Sequence, residues 1–284
     1  VTATGVKQDA APPPAGAARR VLGTVVAVLA LPARPPRQPA GSAPMLPAAR
    51  LAAGVLAAAV LIGGAMLVLD GWAYGQQKRL PIPVIDVFNQ ITDYGKSGWV
   101  LWPSGLLIIA LAVLAATTSR RLIRLTIFSL VVRLEFIFVA IAVPGLAVAI
   151  VKRLIGRVRP SALGPFAYVP FSWRPDYAGM PSGHATAAFA AAVAIGAVWP
   201  RARPLLWAYA LVIALSRVII AAHYPSDVIA GACVGGFAAL LVRNYFAARR
   251  LGFAAARDGA VHALPGPSLR RIKSIAAGLF ASAS

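Results

Sequence analysis

From residue 51 onward the chain alternates long apolar runs with short polar breaks. The runs cover residues 51–69, about 99–116, about 125–151, 183–199, about 204–222 and 228 to about 242. Each is close to the ~20 residues that a helix needs to cross a bilayer, and in hydrocarbon a helix satisfies its own backbone hydrogen bonds. The pattern predicts an all-α integral membrane protein with six transmembrane helices occupying residues 51–247. The third run is interrupted by Arg133, Glu135 and Pro144. Arg133 and Glu135 are two residues apart and do not face each other on a helix, so they mark the end of that span. In the sixth run Gly231 and Gly235 form a small-residue packing face.

The flanks read differently. Residues 1–50 form a basic tail with nine prolines, and no Asp or Glu lies between Asp9 and Asp70. That composition builds no core and is expected to stay disordered. Within it, 21–31 is an apolar run behind Arg19 and Arg20. It is too short to span, and reads either as a signal-peptide core with a twin-arginine flank or as a segment lying on the membrane surface. Residues 248–284 form a second basic tail. Its 270–280 stretch reads as an interfacial amphipathic helix, with Ile272, Ile275, Leu279 and Phe280 on one face, or as a solvated end.

Composition supports a membrane protein. Hydrophobic residues make up 59% of the 284 residues and charged ones 13%, against about 45–50% and about 25% in soluble domains. The 28 basic and 8 acidic residues give a net charge of +20. Such a charge can signal nucleic acid, but its placement points to lipid instead. With six spans, the N-terminal tail, the turns holding Arg120, Arg121, Arg124, Arg201 and Arg203, and the C-terminal tail share one side. The positive-inside rule makes that side, and both termini, cytoplasmic. Basic tails there suit anionic inner-leaflet lipids, and no nucleic-acid partner is implied. Cys233, the single cysteine, forms no internal disulfide.

One segment breaks the charge rule. Lys152, Arg153, Arg157, Arg159 and Arg174 gather on the outer side, where cations need a reason: an anionic ligand is the obvious one, and snorkelling to the headgroup layer is the other. Lys152 and Arg159 are seven residues apart, about two turns and nearly the same face of a helix that Pro160 then stops. A second patch, Pro181-Ser182-Gly183-His184, opens the fourth run. Ser182 is a natural N-cap, and a helix start offers free N–H groups to an anion. A third patch holds Ser216, Arg217, His223 and Asp227. The 31 residues between His184 and Ser216 suffice for two crossings, so this patch returns to the same side. Asp227, in the first turn of the sixth span, can accept a hydrogen bond from the ring of His223.

The order Lys-x6-Arg-Pro, Pro-Ser-Gly-His, Ser-Arg-x5-His-x3-Asp over residues 152–227 resembles the tripartite signature of the phosphatidic acid phosphatase type 2 and haloperoxidase superfamily. The six-run layout is similar to its membrane-bound lipid phosphatase branch. The resemblance implies that His223 attacks phosphorus to form a phosphohistidine, that Asp227 orients it, and that His184 protonates the leaving oxygen. Lys152, Arg159, Ser182, Gly183 and Arg217 would bind the phosphoryl oxygens. No metal or other cofactor is implied. The two histidines need different protonation states: nearby cations keep His223 neutral, while a local hydrogen bond would help His184 hold a proton. The implied enzyme is a multi-pass plasma-membrane (inner-membrane) phosphatase with an outward-facing site. Its substrate would be a lipid phosphate monoester or pyrophosphate: phosphatidate, phosphatidylglycerol phosphate, undecaprenyl pyrophosphate or a lipid A phosphate. Two alternatives stand beside it. One is a vanadate-dependent haloperoxidase-like enzyme, the other a non-catalytic lipid-phosphate binding or transport protein.

Overall fold

The computed structural model describes residues 14–37 and 48–277, apart from 163, 165, 257, 258, 269, 271, 275 and 276. Eight helices carry the described chain: α1 (Pro14–Leu29), α2 (Ala48–Gln77), α3 (Ile82–Asp93), α4 (Gly98–Thr117), α5 (Arg121–Ile155), α6 (Gly183–Val198), α7 (Arg203–Ile219) and α8 (Pro225–Ala248). A short antiparallel hairpin follows, β1 (Phe253–Ala255) and β2 (Val261–Ala263), with Phe253 opposite Ala263. The chain is therefore mostly helical, with this hairpin as an addition to the expected all-α fold.

Among the described residues, five helical stretches are long and apolar enough to cross a membrane: Ala48–Gln77, Ile82–Thr117, Arg121–Ile155, Pro200–Ile219 and Pro225–Ala248. Six crossings were expected, and the sixth candidate, α6, has 16 residues. At 1.5 Å per residue it is about 24 Å long, short of a hydrocarbon core about 30 Å thick. Its surroundings explain the difference. Seven of its alanines and Gly196 are buried, because α6 packs against α5, α7 and α8. A central helix faces protein rather than lipid. By contrast, α2 turns Val60, Leu67 and Val68 outward, with Leu67 80% exposed, an apolar surface suited to hydrocarbon.

Small residues set the closest helix contact. A Cβ on Gly231 would lie 2.4 Å from the Ser182 carbonyl oxygen, and one on Gly235 would lie 2.2 Å from that of Thr186. The small-residue face of α8 thus lets α6 approach backbone to backbone, and so fixes the start of α6 against the start of α8. We predict that Gly235→Ala forces the two helices apart and costs about 1–3 kcal/mol, as overpacking does. A thermal melt in detergent would show it as a clearly lower Tm, and an unchanged Tm would refute the contact.

Both flanks are more structured than their composition suggested. The apolar run 21–31, read as a signal-peptide core or a surface segment within a disordered tail, falls largely in α1. There Val28 and Leu31 are buried with Ile108 and Ala112 of α4 and Ile127 and Val131 of α5. The segment after α1 is tied to the end of α8, where the Tyr245 hydroxyl donates to the Pro32 carbonyl at 2.7 Å. At the other end, Leu251 and Phe253 join the main core cluster, with the Phe253 ring edge-on to Phe136 at 4.7 Å. Arg133 donates to the Leu264 carbonyl at 2.7 Å and to Ser129. The packed unit therefore continues past residue 247. Residues 1–13 and 38–47, and Ile275, Leu279 and Phe280 of the proposed amphipathic face, lie outside the described residues.

Candidate active site

The first patch takes a different course from the one its spacing suggested. α5 ends at Ile155, and Gly156 caps it in the left-handed conformation with φ 65°. A Cβ there would stand 1.9 Å from the Val169 carbonyl oxygen, so glycine is required on both counts. Lys152 thus sits in the last helical turn while Arg159 stands on the loop beyond. They are not on one helix face, and Pro160 is not what ends the helix. Electrostatic coupling still joins Lys152 to Arg159. The loop folds back on itself: Val158 N–H donates to Ala167 O at 3.0 Å and Arg159 N–H to Asp176 O at 2.9 Å.

The second patch starts α6 with Ser182 at the N-cap position and Gly183 as its first residue. The Ser182 side chain does not cap the helix, and its hydroxyl is buried with no partner among the described residues. The first N–H groups of a helix have no intrahelical partner, so backbone and hydroxyl donors converge there. His184 follows on the same turn. The hydrogen bond expected to hold its proton is not formed among the described residues. It lines a cleft of about 350 Å³ together with Gly95, Lys96, Ser97, Leu101 and Gly183.

The third patch lies in the turn from α7 to α8. His223 N–H donates to the Arg217 carbonyl at 3.1 Å, and the imidazole is 3% exposed. Asp227 stands in the first turn of α8, as expected. Its Oδ2 accepts from Tyr224 N–H at 2.9 Å and lies 3.6 Å from Nδ1 of His223. That distance is longer than a formed hydrogen bond, as is common before a substrate tightens a site. Burial is the main cause that lowers the basicity of His223 from its ordinary 6.5. Asp227 opposes it, and Arg217 and Arg159 add to it. The ring is accordingly neutral at pH 7, in the form a nucleophile needs.

The three patches meet. Ser182 N–H donates to the Asp227 carbonyl at 2.9 Å, and Gly179 N–H to that of Arg157 at 2.9 Å. Charge interactions link His184 with Arg217, His223 and Arg159. Among the described residues Ser182 Oγ, Arg159 Nε, Arg217 Nε and His223 Nδ1 are all buried without a hydrogen-bond partner. Unsatisfied buried donors of this density call for a ligand, and their chemistry suits an oxyanion.

Further residues complete the surroundings, and of these the sequence singled out only Arg157, as one of the outer cations. Arg217 donates to Thr92 Oγ1 at 2.7 Å, so α3 steadies one arm of the cradle. Gly95 packs against His184: a Cβ there would lie 3.1 Å from its ring. Arg157, fully buried, pairs with both Asp70 and Asp227 at 2.6 Å. The only sequence signal for Asp70 was that it closes an otherwise uncharged run.

Fold and site together define a polytopic membrane enzyme of phosphoryl transfer, with cationic and hydroxyl donors around a neutral histidine backed by a carboxylate. The chain belongs to the PAP2 superfamily, whose family model matches residues 133–251. It is 33% identical over 186 residues to a lipid A 1-phosphatase of Rhizobium johnstonii, covering 64% of this chain and 75% of that one. A lipid A 1-phosphatase of Rhizobium etli is 33% identical over 199 residues, 68% of this chain and 84% of that one. A crystal structure of a transmembrane PAP2 type phosphatidylglycerolphosphate phosphatase from Bacillus subtilis aligns with a TM-score of 0.40 and 18% identity. The alignment covers 78% of this chain and 94% of that chain. The protein is thus a membrane phosphatase, a hydrolase of phosphoric esters.

Proposed function

We propose that this phosphatase hydrolyses a lipid phosphate monoester or pyrophosphate through a phosphohistidine on His223. The observation that carries the reading is the cluster of unpartnered buried donors on Ser182, Arg159 and Arg217 around a histidine backed by Asp227. Asp227 faces Nδ1, so Nε2 is the attacking nitrogen. As the Nε2–P bond forms, the bond from phosphorus to the leaving oxygen breaks. His184, charged once the bound phosphate dianion offsets the cations around it, gives that oxygen a proton. Water then attacks phosphorus, His184 takes a proton from it, and the P–N bond breaks to release inorganic phosphate. Lys152, Arg159, Arg217, Ser182 and the Gly183 N–H hold the phosphoryl oxygens and offset charge in the transition state. Those cations supply the positive charge that a metal would otherwise bring.

The membrane setting supports a lipid substrate, because a headgroup phosphate lies at the depth where the ends of spanning helices stand. In this reading α6 is a shielded sixth crossing, both termini are cytoplasmic and the site faces outward. Arg120, Arg121, Arg124, Arg201 and Arg203 lie at or just before the starts of α5 and α7, whose other ends lead to Arg159 and His223, which agrees with the positive-inside rule. A reporter fused after Ser284 should be active only in its cytoplasmic form, and a periplasmic result would reverse the topology.

The two Rhizobium relatives are named for the 1-phosphate of lipid A, which makes a glycolipid phosphate the first substrate to test. The test is kcat/KM of purified enzyme on lipid A, phosphatidate, phosphatidylglycerol phosphate and undecaprenyl pyrophosphate. Lipid A is expected to lead by about tenfold or more, the scale of one well-placed contact. A preference for a soluble monoester over all four would remove the lipid reading.

A further inference from the structure

Behind the dyad lies a buried ionic network that neither the phosphate cradle nor the His223–Asp227 pair explains. Arg157 stands on the loop after α5, with its side chain and those of Asp70 and Asp227 all 0% exposed. One guanidinium nitrogen donates to Asp227 Oδ1 and to Ser226 Oγ, each at 2.6 Å. The other donates to Asp70 Oδ2 at 2.6 Å. Asp70, on α2, in turn accepts from the Ser226 backbone at 3.0 Å and from the Ser226 hydroxyl at 2.5 Å. The guanidinium lies over the Tyr224 ring, 4.6 Å from its centroid. Gly179 closes the packing: a Cβ there would lie 2.9 Å from Arg157 O and 3.5 Å from Asp227 Oδ2.

The geometry divides the labour of Asp227 between its two oxygens. Oδ1 is held by Arg157, while Oδ2 faces Tyr224 N–H and His223 Nδ1. A carboxylate turns about its Cβ–Cγ bond, so anchoring one oxygen aims the other. Arg157 is aimed in the same way, because Asp70 holds its second nitrogen. We propose that Asp70 and Arg157 are positioning residues for the dyad, fixing Asp227 so that Oδ2 faces the ring nitrogen of His223. The inference rests on His223 being the nucleophile.

Charge makes the arrangement more than a staple. Two carboxylates and one guanidinium carry a net charge of −1 behind His223. As Nε2 bonds to phosphorus, the ring gains positive charge while Nδ1 keeps its proton, and that net negative charge stabilises it. If Asp70 were neutral, the guanidinium would act on Asp227 alone and the unit would carry no net charge. The groups facing His223 are Asp227 from α8, Arg217 from α7, Arg159 from the loop after α5 and His184 from α6. Asp70 and Arg157 act on it only through Asp227.

The test is Asp70→Asn in the full chain, purified in detergent, with a short-chain phosphatidate as the probe across a pH series. Asp70→Asn should lower kcat about 10- to 100-fold, the scale of losing an outer-shell partner. KM should stay within about twofold, because the phosphate ligands are untouched. The acid limb of the kcat profile should move to lower pH, since removing a negative charge makes His223 easier to deprotonate. A purely structural network would lower Tm and leave that limb in place. Folded Asp70→Asn with wild-type kcat, or with an unmoved acid limb, overturns the proposal. If Asp70→Asn does not fold, Arg157→Lys serves, as it keeps the charge but cannot hold two carboxylates in one fork. It should again lose kcat and keep KM, and wild-type kcat would overturn the proposal. His223→Ala in the same series separates the two ideas. Turnover by His223→Ala sinks the nucleophile assignment, whereas inactive His223→Ala beside fully active Asp70→Asn sinks only the positioning role.

Discussion

His223→Ala is expected to abolish phosphate release, lowering kcat by at least about 10⁴-fold, as removal of a covalent nucleophile does. The imidazole is the neutral group at the centre of the cradle, and burial keeps it neutral. No other described side chain combines a lone pair with a carboxylate behind it at that point: His184 has no hydrogen-bonded partner, and Glu135 is buried far along α5. The variant should fold, because the only hydrogen bond that His223 donates among the described residues comes from its backbone N–H. Phosphate binding should persist in it, since Arg159, Arg217 and Ser182 remain. Release of phosphate at more than about a hundredth of the wild-type rate would assign attack to another group.

The second large effect belongs to His184, and it should depend on the leaving group. A general acid is worth about 10²–10⁴-fold when the departing oxygen needs a proton. His184 lines the 350 Å³ cleft beside Gly183 and Lys96, which suits it to serve the leaving side of the phosphorus. On a lipid alcohol ester, His184→Ala should therefore lose activity across that range. On p-nitrophenyl phosphate, whose phenolate departs without protonation, the phosphorylation step of the same variant, read as the p-nitrophenolate burst, should slow about tenfold or less. An equal slowing of that step on both substrates would show that His184 acts in binding rather than as the acid for the leaving oxygen.

The sequence made the spans and the signature residues legible for a simple reason. Apolar runs of bilayer length have few other solutions, and His184, Arg217, His223 and Asp227 stand at the breaks between them. The turn lengths were enough to bring the three patches to one end, as the Ser182–Asp227 backbone bond now reports. Partner choice was not legible. Asp70 reaches Ser226 across 156 positions, and nothing local to either residue points to the other. The path from Lys152 to Arg159 was not legible, because nothing local marks Gly156 as the end of the helix. Its left-handed conformation depends on the Val169 backbone folding over it. The structured flanks were missed for the same reason. Composition describes a segment in isolation, and the 21–31 run becomes helical against a face of α4 that belongs to the fold.

The central claim is the covalent intermediate, and trapping it tests the claim most directly. Wild-type enzyme would be mixed with substrate labelled in its phosphate, quenched in base to preserve a phosphoramidate, digested and mapped by mass spectrometry. The account predicts one phosphorylated residue, His223, in wild type, with none in His223→Ala. It also predicts label that builds up when His184 is replaced and the substrate is p-nitrophenyl phosphate. Label on His184 or on any other side chain, or steady turnover with no labelled enzyme at any time point, would contradict it.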